Sequence, residues 1–103
     1  MLLTTIETLP EQKFTVLGLV RGNTVQCKNF GRDFMAGLKN LVGGEMSEYT
    51  QLMDDARNIA TERMVREAER LSADAIIGVR YSSSEITAGA AEIMAYGTAV
   101  KFL

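Results

Sequence analysis

Apolar residues along the chain follow two periods, and the change from one to the other divides it into elements. From Ser47 to Ser72, SEYTQLMDDARNIATERMVREAERLS, the spacing is helical, and at Ala75–Tyr81, AIIGVRY, it becomes strand-like. The first stretch holds no Gly or Pro and is rich in Ala, Met, Leu, Glu and Arg, the residues that lose least on becoming helical. Ser47 suits the N-cap and Glu48 the positive end of the dipole, while Arg66 and Arg70 lie toward the negative end. Wound as a helix, Tyr49, Leu52, Met53, Ala56, Ile59, Ala60, Met64, Ala68 and Leu71 fall within about half the circumference. That arc is Ala-rich, so another element can approach closely. Arg63 and Glu67 sit inside it one turn apart, where they pair beside the core or meet a neighbouring subunit. At about 1.5 Å per residue the helix would be roughly 39 Å long. A compact chain of this length is roughly 33 Å across. The helix is expected to match or overhang its own domain, which leans toward assembly.

Ahead of it, Leu2–Ile6 is a short β-leaning run closed by a turn around Thr8–Gln12 with Pro10. Phe14–Lys28, FTVLGLVRGNTVQCK, is dense in β-branched residues and interrupted by Gly18 and Gly22. Glycines in a strand pattern mark a bulge, a turn or a closely packed backbone, so two strands turning near Arg21–Asn23 fit as well as one bent strand. Gly31–Val42 places Phe34, Met35, Leu38, Leu41 and Val42 at helical spacing, with Asn29 as a cap and Gly43-Gly44 as a stop. After the long helix, Ser72-Ala73-Asp74 forms a tight exit into the strand at Ala75, and Glu85–Leu103 adds a turn at Ala88-Gly89-Ala90 and a last strand through Phe102.

A three-residue loop at Ala88–Ala90 would set Arg80 opposite Thr98, Ser82 opposite Tyr96 and Ile86 opposite Glu92. One sheet face then carries Ile77, Val79, Ile93, Ala95 and Ala99, small and apolar, which suits the Ala-rich helix. The other carries Arg80, Ser82, Glu92, Tyr96 and Thr98, flanked by Ile76, Met94, Val100 and Phe102. Polar groups amid large apolar ones point to a subunit interface or a ligand site. A one-residue slip in the loop would exchange the faces.

The chain of 103 residues is long enough for one domain, 1–103, burying about two-thirds of its unfolded surface. Its net charge of −2, with Lys and Arg scattered, offers no nucleic-acid surface. The N-terminus lacks a basic start followed by an apolar run, and no segment approaches the ~18 apolar residues that span a bilayer, so neither a signal peptide nor a membrane partner is expected. A cytoplasmic protein is the default. With no histidine, the chain lacks the commonest general base and metal ligand. Cys27 stands alone, so it forms no internal disulfide, and it is the one soft metal ligand; several copies around a symmetry axis would suit Cu(I). Phosphate-binding glycine motifs are absent, Ser82-Ser83-Ser84 has no base partner, and an enzyme is not expected.

Several segments together resemble the YbjQ-like family of small bacterial and archaeal proteins, often labelled heavy-metal-binding domains. They are Thr8-Leu9-Pro10, Leu17-Gly18-Leu19-Val20-Arg21-Gly22, Gly31-Arg32-Asp33, Val42-Gly43-Gly44-Glu45, Ala56-Arg57, Ala73–Tyr81 and Ala95–Val100. Their order and spacing hold over essentially the whole chain. The resemblance implies an α+β fold like a dodecin subunit, with an antiparallel sheet packed on one long and one short helix, and a ring-like homo-oligomer, a pentamer. It implies no activity, and a heavy-metal ion as cofactor only through the family's label. Ser72 stands where the family commonly has glycine. The leading expectation is a ring-forming module that binds a metal or small ligand at subunit interfaces through Arg80, Glu92 and Tyr96, with Ser82 and Thr98 beside them. Its rival is a structural or interaction module without a small ligand. An enzyme with a site shared between subunits would need Glu92 or Tyr96 as acid or base.

Overall fold

The computed structural model describes residues 1–27, 47–87 and 89–103, residues 47–49 by their backbone alone. Five elements result: β1 (Leu2–Leu3), β2 (Phe14–Cys27), α1 (Ser47–Arg70), β3 (Ala75–Thr87) and β4 (Ala90–Phe102). The helix expected over Gly31–Val42, its cap at Asn29, the Gly43-Gly44 stop and the side chains of Ser47, Glu48 and Tyr49 lie outside the described residues. The four strands form one sheet in the order β1-β3-β4-β2. The fold is α+β, but the sheet is mixed rather than antiparallel throughout, because β1 runs parallel to β3 through Leu2 opposite Ala75. A strand so short can lie parallel because the chain between it and β3 includes the long helix, the crossover that parallel pairing needs.

The two interrupting glycines of β2 have different physical causes. Gly18 sits at a bulge, where the register against β4 shifts after Val16, with φ of 137° that only glycine adopts freely. Gly22 is a close approach: a Cβ there would stand 2.2 Å from the Ala60 carbonyl oxygen and 2.3 Å from the Met64 nitrogen. With both devices β2 remains one strand of 14 residues.

Along α1 only a four-residue repeat is sealed. Ala56, Ala60, Met64 and Ala68 are completely buried against Val20, Ile76, Val79, Ile93, Ala95 and Ala99 of the sheet. Leu52, Met53 and Ile59 are half-buried and Leu71 is exposed, so the buried stripe is narrower than the apolar arc. Arg63 donates to the Asn23 carbonyl at 2.7 Å. The helix leaves through a paired motif in which the Ala73 amide donates to Ala68 and the Ser72 amide to Glu69, with Ser72 held at φ 59°. Asp74 then fixes the exit, its carboxylate accepting from the Phe102 amide at 2.8 Å with the Lys101 ammonium 3.6 Å away.

The β3–β4 hairpin departs from the expected register. Strand β4 resumes at Ala90, opposite Thr87, with Gly89 at φ 80°, so the connection is tighter than three residues. A further irregularity between Glu85 and Thr87 adds a second step. Arg80 therefore faces Tyr96, Ser82 faces Met94 and Ser84 faces Glu92. Two steps restore the alternation, so the sorting of that half of the hairpin into faces survives. A second bulge between Ile77 and Arg80 reverses it below that point. Ile76, not Ile77, joins the helix-side core, while Ile77 packs on the opposite face with Ala75 and Val100 under Leu9, Phe14 and Phe102.

The molecule is long rather than compact. Its radius of gyration is 17.4 Å, against ~13 Å for a compact chain of this length. The largest extent, 56 Å, exceeds the ~36 Å of the 24-residue helix, so α1 is shorter than the molecule is long. No helix among the described residues is long and apolar enough to cross a membrane.

Candidate functional site

The sheet face turned away from α1 has two halves. Near the chain termini it is roofed by the turn after β1, where Leu9, Phe14 and Phe102 close over Ala75, Ile77 and Val100. Beyond that roof it is open. Leu19 is 67% exposed and Val25 49%, while Met94 and Tyr96 are half-buried between them. The pairing explains the grouping: Leu19 lies opposite Thr98, Arg21 opposite Tyr96 and Val25 opposite Glu92 on one flank, with Arg80 opposite Tyr96 and Ser82 opposite Met94 on the other. At the centre is a shallow depression of about 240 Å³ lined by Leu19, Arg21, Ser82, Met94 and Tyr96. Two apolar walls, an aromatic ring, two hydroxyls and a guanidinium suit a small amphipathic anion better than a bare ion.

Of the residues read from the sequence, Ser82 and Tyr96 line this depression, and Glu92 and Thr98 lie farther along β4 to either side of its Met94 and Tyr96. Arg80 turns elsewhere. Its guanidinium donates to the Thr5 carbonyl at 2.8 Å and to the Val79 carbonyl at 2.9 Å, and stands 3.8 Å from the Glu7 carboxylate. It clamps the segment after β1 along the rim of β3. Met94 was read as flanking this face, whereas Leu19 and Arg21 were not placed on it. Sequence reasoning left β2 open between one strand and two, so its faces could not be registered on the hairpin. The alternation of Val20, Gly22 and Thr24 with Leu19, Arg21 and Asn23 was the available signal.

Cys27 is exposed with a free thiol at the far end of β2, opposite Ala90. Among the described residues no three His, Cys, Asp or Glu side chains come together in a group that could hold a metal ion. A lone thiol opposite an alanine does not fit a heavy-metal centre, which takes several soft donors. A second cleft, about 270 Å³, opens on the helix side between Leu52 and Met53 of α1 and Ser83–Glu85 of β3.

Known proteins match this arrangement from end to end. The model of the YbjQ family, described as "Putative heavy-metal-binding", matches residues 1–103. The chain belongs to the YbjQ family. Proteins called UPF0145 are its relatives: one from Thermotoga maritima is 57% identical over 102 residues, covering 98% of this chain and 96% of its own. Others are 52% identical, from Archaeoglobus fulgidus over 97% of this chain and 94% of that protein, and from Vibrio campbellii over the full length of both. A crystal structure of a DUF74 protein of unknown function from Pediococcus pentosaceus superposes with a TM-score of 0.67 at 19% identity, covering 100% of this chain and 98% of its own. At that identity the likeness shows a shared fold.

Proposed function

We propose that this YbjQ-family chain is a non-catalytic homo-oligomeric module of the cytoplasm, ring-forming in the manner of a dodecin-like subunit. Other copies complete its sheet, and beside those joints its open face binds a small amphipathic anion at Leu19, Arg21, Ser82, Met94 and Tyr96. One observation carries the reading: the isolated chain exposes too much surface. A folded monomer of 11.3 kDa exposes about 5,700 Å². This chain exposes 6959 Å². The excess of about 1,200 Å² approaches the ~1,600 Å² that one subunit contributes to two standard interfaces of ~800 Å² each. Part of it is apolar, including Leu19 and Val25 of the open face and Ile86 near the hairpin tip. Two interfaces per subunit support a ring, and five copies remain the expectation. The heavy-metal reading has less support, since Cys27 is the chain's single thiol and no group of ligands gathers around it among the described residues; if metal is held, it is held between copies.

Native mass spectrometry of untagged protein tests this reading. A closed multiple of 11.3 kDa carrying a reproducible organic adduct, lost in Arg21→Ala with Tyr96→Phe, supports it. A closed multiple with no adduct favours the purely structural module. A metal adduct lost in Cys27→Ser would restore the metal. A monomer at micromolar concentration overturns assembly and shared site together.

A further inference from the structure

We infer that copies of this chain join edge to edge, the outer rim of β3 between Arg80 and Thr87 pairing with the outer rim of β2 of the next copy. The inference rests on the oligomeric reading above and names the surface that performs it. Strand β1 reaches only Ala75 and Ile76, and the segment after it continues no farther than Val79, whose amide donates to Thr4. From Arg80 to Thr87 the rim of β3 has no strand beside it among the described residues, and β2 is terminal at the other side of the sheet.

The backbone groups left over can be named. The Ile76 carbonyl accepts from Thr4, so Ile76 faces the N-terminal segment, and Ala75 and Ile77 face β4 opposite Val100 and Thr98. Alternation along β4 then turns Tyr96, Met94 and Glu92 toward Arg80, Ser82 and Ser84. The amides and carbonyls of Tyr81, Ser83 and Glu85 point outward. The same alternation turns Leu19, Arg21, Asn23 and Val25 outward on β2, where Arg63 already occupies the Asn23 carbonyl. A rim of this length without proline is a template for another strand.

Coverage decides which rim meets which. The helix rests on β2 and β4 and meets β3 only lightly, the Thr61 hydroxyl lying 2.8 Å from that of Tyr81, itself 50% exposed. Beyond Tyr81 the helix side of β3 faces only an open cleft below Leu52 and Met53, a bare stretch among the described residues. When β2 of the next copy pairs with β3, the helix lying over that β2 arrives beside the bare stretch and covers it. Pairing β2 with β2 leaves both bare stretches uncovered, and pairing β3 with β3 sets them side by side without a helix. The β3-to-β2 contact is heterologous, and such contacts generate rings when the rotation closes. All helices then lie on one side and the open faces, with their depressions, on the other.

Hydrogen exchange of the wild-type oligomer, read by mass spectrometry on peptides covering 80–87 and 19–26, tests the joint, with Ser83→Pro as the companion variant. We expect slow exchange in both peptides. We also expect Ser83→Pro to give a folded monomer by native mass and circular dichroism, since that amide faces away from β4. A native oligomer whose 80–87 amides exchange freely, or one that Ser83→Pro leaves at full mass, overturns the edge joint while the oligomeric reading stands. Protection of 19–26 alone identifies β2-to-β2 pairing and also overturns it. If Ser83→Pro fails to fold, the wild-type exchange decides. A wild-type monomer removes the oligomeric reading itself.

Discussion

Substituting Gly22 with alanine drives a methyl group into the backbone of α1. The added Cβ would lie 2.2 Å from the Ala60 oxygen, 2.3 Å from the Met64 nitrogen and 2.8 Å from the Arg63 carbonyl carbon. Relief requires the helix to withdraw by roughly 1 Å, and a gap of that size forfeits a quarter to a half of the dispersion attraction of each pair it opens. The contacts at stake are those of Ala56, Ala60, Met64 and Ala68, all fully buried. Overpacking costs about 1–3 kcal/mol where side chains can yield, and more where backbone must move, so Gly22→Ala should cost about 3 kcal/mol or more. That is a large share of the 5–15 kcal/mol that holds a domain of this size. It corresponds to a melting temperature lower by about 12–24 °C. Urea unfolding followed by far-UV circular dichroism, at matched protein concentration because assembly adds to apparent stability, reads the difference. Two controls fix the cause. Gly97→Ala, whose Cβ would meet the Ile76 Cγ2 methyl at 2.7 Å, the Ile77 carbonyl oxygen at 3.0 Å and the Val79 Cγ2 methyl at 3.3 Å, should cost about 1–3 kcal/mol, less than Gly22→Ala because its closest contact is a side-chain methyl and not helix backbone. Ala60→Gly should not rescue Gly22→Ala, because the colliding atom is the Ala60 carbonyl oxygen. Gly22→Ala within about 0.5 kcal/mol of wild type, the range of neutral surface changes, would refute the reasoning.

Three further outcomes follow from the same geometry. Ser72→Gly should raise stability by about 0.5–1 kcal/mol in the same unfolding assay, since left-handed backbone costs an L-residue 1–2 kcal/mol and glycine's extra chain entropy returns part of the gain. Asp74→Ala should lower it by about 1–2 kcal/mol, because the Phe102 amide loses its acceptor. Leu19→Lys, on the most exposed apolar position of the open face, should lower native mass while leaving the circular dichroism spectrum unchanged; a full-mass assembly would place Leu19 outside any interface.

What the sequence disclosed depended on how local each signal was. The α1 boundaries, the strand from Ala75 and the Ser72 exit were legible because periodicity, turn chemistry and the glycine-like position act within a few residues. Gly18 and Gly22 were legible as special positions but not as to kind. A bulge and a helix contact leave the same mark in one strand, and only the distant Ala60 and Met64 tell them apart. The parallel pairing of Leu2 with Ala75 spans over seventy residues and has no local mark at all. Bulges set the hairpin register, so one small irregularity, between Ile77 and Arg80, carried Ile77 to the unexpected face and Ile76 into the core. At the candidate site Ser82 and Tyr96 followed from alternation on one hairpin, whereas Arg21 and Leu19 required the register of a third strand. Arg80 was placed on the right face, but its long side chain reached Thr5, a contact that alternation does not encode.

We propose that this chain completes itself with its own copies. Its most direct test is the native mass of the untagged protein at micromolar concentration. A single closed multiple of 11.3 kDa is expected, of five copies. A monodisperse 11.3 kDa species across that concentration range would contradict it.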